Sequence, residues 1–126
     1  MILDSITTQS TILESALQAA EYKNQVILNN IANADTPGFK GKHVEFESVL
    51  NDALETSRRT GKLDMSGVMP KLMSKHSGYS VRIDENNIDA ETELTEFYKN
   101  SAKYDVITNS ILNNSSRINF VIANAK

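Results

Sequence analysis

Two segments of the chain, one at each end, carry apolar residues at alternating steps of four and three. In residues 6–34 the steps fall on Ile6, Ser10, Leu13, Leu17, Ala20, Asn24, Ile27, Ile31 and Ala34, with mostly Gln, Glu, Lys, Ser and Thr between them. In residues 89–125 they fall on Ala90, Leu94, Phe97, Ser101, Tyr104, Thr108, Ile111, Ser115, Ile118, Ile122 and Ala125. An apolar repeat of about 3.5 residues predicts a helix with a narrow seam that wants another helix against it. Thr11-Ile12-Leu13-Glu14 fits a capping box, so the first helix is expected to firm up from Thr11. Asp89 is a natural N-cap for the second, and Glu91 and Glu93 suit the positive end of its dipole, at what reads as an exposed helix start. At about 1.5 Å per residue the second helix would be roughly 50 Å long.

The stretch between them has a different texture. All five glycines and both prolines lie between Pro37 and Gly78. Phe46, Val49, Leu50, Ala53 and Leu54 fall at helical spacing and predict one short amphipathic helix over 45–57. Residues 58–80 have no sustained period and read as loop, and 79–84 alternate well enough for a short strand or extended arm.

The first helix ends abruptly at "NNIANADTPGFK", residues 29–40. Asparagine is a mediocre helix former because its amide competes for nearby backbone groups. Helix termination accounts for Asn33 but poorly for Asn29 and Asn30, whose amides suit bonds to adjacent elements or to the ending turn. Thr36 is pushed out of the helical region by Pro37, and Pro37-Gly38 fits the centre of a type II turn, with Phe39 placed to anchor the exit. At seam positions, Ser10, Asn24, Ser101, Thr108 and Ser115 weaken a coiled coil but can set its register.

Composition narrows the function classes. The 126 residues fit one domain, read as an N-terminal helix and turn (1–40), an irregular middle (41–88) and a C-terminal helix (89–126). The net charge of −3 argues against nucleic acid as a main partner. No cysteine is present, which excludes disulfides and thiolate sites. The N-terminus lacks the basic and apolar regions of a cleaved signal, and no apolar run approaches the roughly 18 residues of a membrane span. His43 and His76 stand alone in loop-like sequence, without a second ligand at metal spacing. Residues 84–95 fail as a calcium loop, with Asp89 at the glycine position and Thr95 where a bidentate Glu belongs. No nucleophile–base pattern is legible, so neither an enzyme nor a cofactor is expected.

The fold class that follows is mainly α: two long terminal helices forming a coiled-coil-like hairpin around a small irregular middle. A two-helix pair has one contact line, while ordering costs about 1–2 kcal/mol of backbone entropy per residue. Burying one Leu or Ile returns about 1.5–3 kcal/mol, so a lone hairpin is marginal. Either the chain is a self-contained helical domain, or its seams are completed by other chains; periodicity does not choose.

Asn30, Ile31, Ala32, Asn33, Thr36, Pro37, Gly38 and Phe39 closely resemble the N-terminal signature of flagellar rod and hook proteins. Residues 82–111 resemble the C-terminal block of proximal-rod subunits in that family, with one departure at Glu85, where related sequences tend to carry Gly. The two blocks cover about half the chain. The resemblance implies a structural subunit of the bacterial flagellar basal body, exported by the flagellar type III apparatus without a cleaved signal and assembled helically in the periplasmic rod. It implies contacts with copies of itself, with the rod proteins FlgC, FlgF and FlgG, and with the adaptor FliE and the MS ring. Asn29, Asn30, Ala32, Asn33, Thr36, Pro37, Gly38 and Phe39 would form the assembly signature. Leu13, Leu17, Ile27, Ile31, Leu94, Phe97, Tyr104, Ile111, Ile118 and Ile122 would line the interface seam. A soluble helical adaptor or secretion chaperone that binds a partner helix is the alternative.

Overall fold

The computed structural model of the protein describes residues 2–75 and 83–125. The element order is α1 (Ile2–Ala32), β1 (Lys42–Glu45), α2 (Glu47–Thr60), β2 (Lys71–Ser74) and α3 (Ala90–Asn124). The two terminal helices are the ones that the seams predict. They run antiparallel, since Asn30 meets Glu93 while Ala20 and Asn24 meet Asn100.

Helix α1 begins at Ile2 and passes unbroken through Thr11, which does not act as a cap. With the following amides already inside the helix, the Thr11 hydroxyl instead donates to the Thr7 carbonyl at 3.0 Å. Along α1, Ala20 and Ile27 are buried, and Leu13, Leu17 and Ile31 are half-buried. A second side of α1, at Ala16 and Ala19, packs with Phe46, Val49, Leu50 and Ala53 and with Met65 and Val68 of the loop beyond α2. This small core explains the apolar stripe of α2. The helix itself runs past the expected end to Thr60, where the Gly61 N–H bonds the Ser57 carbonyl at 2.8 Å.

Helix α3 keeps half of its expected register. Phe97, Tyr104, Ile111 and Ile118 are half-buried. At the alternate steps the buried residues are Glu93, Asn100 and Asn114, each one position before Leu94, Ser101 and Ser115. Glu93, read from sequence as part of an exposed helix start, is therefore a core residue. Leu94 and Ile122 are exposed on the chain.

Strands β1 and β2 form an antiparallel pair with Lys42 opposite Ser74 and Glu45 opposite Lys71. Neither is visible in the sequence, because four residues are too few to show a period and every residue of β2 is exposed. Of the extended segment expected over 79–84, residues 79–82 lie outside the described residues, and Ile83 and Asp84 form a turn.

Candidate assembly site

The asparagine-rich end of α1 is where the helices and the hairpin meet. Asn30 is only 1% exposed and uses its whole amide. Its Nδ2 donates to the Lys42 carbonyl at 2.7 Å and to Glu93 Oε2 at 3.0 Å, while its Oδ1 accepts from the Lys42 N–H at 3.1 Å. The side chain thus pairs with Lys42 as a neighbouring strand would and fixes where β1 begins. Glu93, 2% exposed in the first turns of α3, also takes the Lys75 ammonium on Oε1. A buried carboxylate requires such partners. Together these bonds tie α1, the start of β1, the end of the hairpin and α3 to one point.

A second asparagine closes the helix end. Asn86, 1% exposed, directs its Nδ2 at the carbonyls of Asn33 (2.9 Å), Ala34 (3.1 Å) and Thr36 (2.7 Å). These include groups that a helix C-terminus leaves without partners. Its Oδ1 accepts from the Ile88 N–H at 2.7 Å. Next to it, Asn87 accepts from the Gly41 N–H at 2.7 Å and donates to the Lys75 carbonyl at 3.1 Å. Main-chain bonds from Gly38 to Asp84 (2.7 Å) and from Lys75 to Gly41 (2.8 Å) complete the junction. Gly41 is buried so tightly that an added Cβ would lie 2.3 Å from Ile88 Cδ1.

The signature residues divide between these bonds and the surface. Asn33 donates to the Asn29 carbonyl at 2.8 Å and accepts from the Thr36 hydroxyl at 3.2 Å, winding the helix into the turn. The Phe39 N–H bonds the Thr36 carbonyl at 3.3 Å with Gly38 at φ 70°, the geometry expected of Pro-Gly in a type II turn. Phe39 is half-buried, and Asn29, Ala32, Thr36, Pro37 and Gly38 are exposed. Glu85, at φ 61°, is the one non-glycine residue with positive φ among the described residues, and its carbonyl accepts from the Lys40 ammonium. The left-handed region disfavours side chains, which is a physical reason for Gly at that position.

Further along the seam, Asn100 Nδ2 donates to the Ala20 carbonyl at 2.7 Å and to Asn24 Oδ1 at 2.8 Å. The Asn114 Nδ2 is buried without a hydrogen-bond partner among the described residues. Salt bridges link Lys23 to Glu96 at 3.6 Å and Lys103 of α3 to Glu47 of α2. The Lys103 hydrogen bond and charge lower the Glu47 pKa. Hydrogen bonding from Lys99, against a burial effect, lowers that of Glu96, with Lys23 adding to it. The Thr92 hydroxyl lowers that of the cap, Asp89. No group of residues that could hold a metal ion occurs among the described residues, and no helix there is long and apolar enough to cross a membrane.

The sequence assigns no role to Asn86, Asn87 and Gly41, and it places Glu93 at an exposed helix start. The one available signal was the pair Asn86-Asn87 between a departing turn and a helix cap, which is meaningful only once the end of α1 is placed beside it.

Residues 11–40 match the model of a family described as flagella basal body rod protein. Over its full length the chain is 33% identical to the full length of the flagellar basal body rod protein FlgB of Bacillus subtilis. It is 30% identical to FlgB of Yersinia enterocolitica, over 82% of this chain and 85% of that protein. With FlgB of Salmonella typhimurium it shares 28% identity, over 83% of this chain and 86% of that protein.

Proposed function

The chain belongs to the FlgB family of flagellar basal body rod proteins, and on that premise we propose that it builds the rod by offering neighbours a rigid tip and two incompletely covered helices. It is a structural subunit of the flagellar basal body rod. The observation that supports the mechanism is the division of the signature. Asn30 and Asn33, together with Asn86, use their amides to lock the end of α1, whereas Asn29, Ala32, Thr36, Pro37 and Gly38 are exposed on the locked turn. A surface held so firmly loses little entropy when a neighbour docks on it.

In this reading the subunit leaves the cytoplasm through the flagellar type III apparatus without a cleaved signal and joins the periplasmic, proximal part of the rod. FliE and the MS ring lie on one side and FlgC on the other, with FlgF and FlgG further along. Seam residues such as Leu13, Leu17, Leu94, Phe97 and Ile122 pack against copies and relatives in a helical array, and torque passes through these interdigitated helices.

The test is Pro37→Ala combined with Gly38→Ala. Export of the variant should continue while its recovery in isolated basal bodies and the motility of the cells are lost. Normal motility would remove the signature turn from the mechanism. Ile31→Asp should also block incorporation, because it buries an unpaired charge at the helix pair.

A further inference from the structure

Among the described residues, the last turns of α3 carry three consecutive large apolar side chains in the open. Phe120, Val121 and Ile122 are 70%, 60% and 67% exposed. Successive helical residues point about 100° apart, so the three spread apolar surface over more than half of the helix circumference. A surface that wide is covered by enclosure, because docking on a flat face would leave part of it in water.

An enclosure of matching character lies at the other end of the helix pair. The groove between α1, α3, β1 and α2 has a volume of about 590 Å³ and an apolar floor that includes Ala19, Ile27, Val44, Phe46 and Leu50. Its lining carries three lysines, Lys23, Lys75 and Lys103, against four carboxylates, Glu45, Glu47, Glu93 and Glu96, with Glu45 also opposite Lys71 across the hairpin. Residues 109–125 carry a single charge, the cation Arg117, one turn before Phe120. The groove and the helix end therefore agree in apolarity and are opposite in net charge.

Asn100 lines the groove, and Val121 lies 21 residues further along the same unbroken helix, about 30 Å away at 1.5 Å per residue. A chain cannot fill its own groove with its own tail. We propose that the tail of α3 around Phe120–Ile122 docks into the α1–α3–hairpin groove of a second copy, with Arg117 beside Glu45 of that copy. The proposal rests on the rod reading and specifies one of its contacts. Tail-to-groove docking joins unlike surfaces, so it generates a ring or an open-ended array instead of a two-fold dimer.

The absence of cysteine from the chain makes the contact directly testable. Two single-cysteine chains, Leu50→Cys and Val121→Cys, are purified, checked for native helix content, mixed at high concentration and oxidised. His43→Cys, also on the groove lining, serves as a second groove probe should Leu50→Cys disturb the core. Docking holds the thiols at roughly millimolar effective concentration, so groove–tail cross-links should form at least about tenfold faster than groove–groove or tail–tail ones. Arg117→Glu should remove that preference, and Arg117→Glu mixed with a Glu45→Arg groove chain should restore it. Equal rates for all pairings, a predominance of tail–tail links or a chain that stays monomeric would each overturn the proposal. The rod reading is judged separately, by recovery of the unmodified chain in basal bodies, and can survive any of those results.

Discussion

Asn30→Asp changes one NH₂ group to an oxygen and nothing else in size, yet its consequence should be large. The introduced oxygen would sit 3.0 Å from Glu93 Oε2 and 2.7 Å from the Lys42 carbonyl. At an effective dielectric constant of about 20, two unit charges about 3 Å apart repel by roughly 5–6 kcal/mol. Protonation of the new carboxyl limits the loss. Holding a group of ordinary pKa about 3.9 protonated at pH 7.5 costs roughly 5 kcal/mol, at about 1.36 kcal/mol per pH unit, whereas at pH 5 it costs only about 1.5 kcal/mol. With some offset from the Lys75 ammonium, the expected loss is about 3–5 kcal/mol at pH 7.5 and about 1–2.5 kcal/mol at pH 5, the lower figures including the bond to Lys42. The sign follows from linkage: the new carboxyl has a raised folded-state pKa, so its penalty grows as pH rises through the window above about 4. Urea denaturation of wild type, Asn30→Asp and the exposed control Asn29→Asp, at both pH values, measures this. Equal losses for the two variants, or a loss independent of pH, would refute a buried Asn30–Glu93 junction.

Gly41→Ala should destabilise the chain by about 1–3 kcal/mol through overpacking against Ile88, and Ile88→Val, which removes the clashing Cδ1, should recover part of that loss in a double-mutant cycle. Glu85→Gly should stabilise by about 0.5–1 kcal/mol because it relieves a left-handed side chain, and Glu85→Val should destabilise; thermal melts of both variants decide. Wild-type stability should be level above the ordinary carboxyl values of 4.5 for Glu47 and Glu96 and 3.8 for Asp89, then fall as pH drops through their lowered folded values. Asp89→Ala should remove the cap bond to the Glu91 N–H, lower the denaturant midpoint and flatten the lowest part of that acid limb.

The long helices were legible because a 3.5-residue apolar repeat, kept up over about thirty residues, forms one continuous stripe only on a helix. The Pro37-Gly38 turn was legible too, since both residues restrict the backbone locally. The interior of the junction was not. Stepping along α3 by apolarity selects Leu94, while the molecule buries Glu93, because a carboxylate that meets Asn30 and Lys75 is satisfied by residues 63 and 18 positions away. Asn100 is likewise inside because Ala20 and Asn24, far back in the sequence, face it. Hydrophobic patterning has no means of seeing a buried polar contact whose partners are distant, and here such contacts set the register of α3. The hairpin was missed for a related reason: β2 alternates nothing and takes its place from β1 and from the Lys75–Gly41 bond.

The central claim is that a polar junction holds the tip of each subunit while neighbouring subunits complete the helix pair. Amide hydrogen exchange, compared between the free chain and isolated rods, tests it most directly. The account predicts that the N–H groups of Gly41, Lys42 and Ile88 are protected in both states, because Asn87, Asn30 and Asn86 bind them within the chain. Over residues 106–122 of α3, where Val106, Leu112, Phe120, Val121 and Ile122 are exposed, protection should rise strongly only in the rod. A junction that exchanges freely in the single chain, or an α3 equally protected in both states, would contradict it.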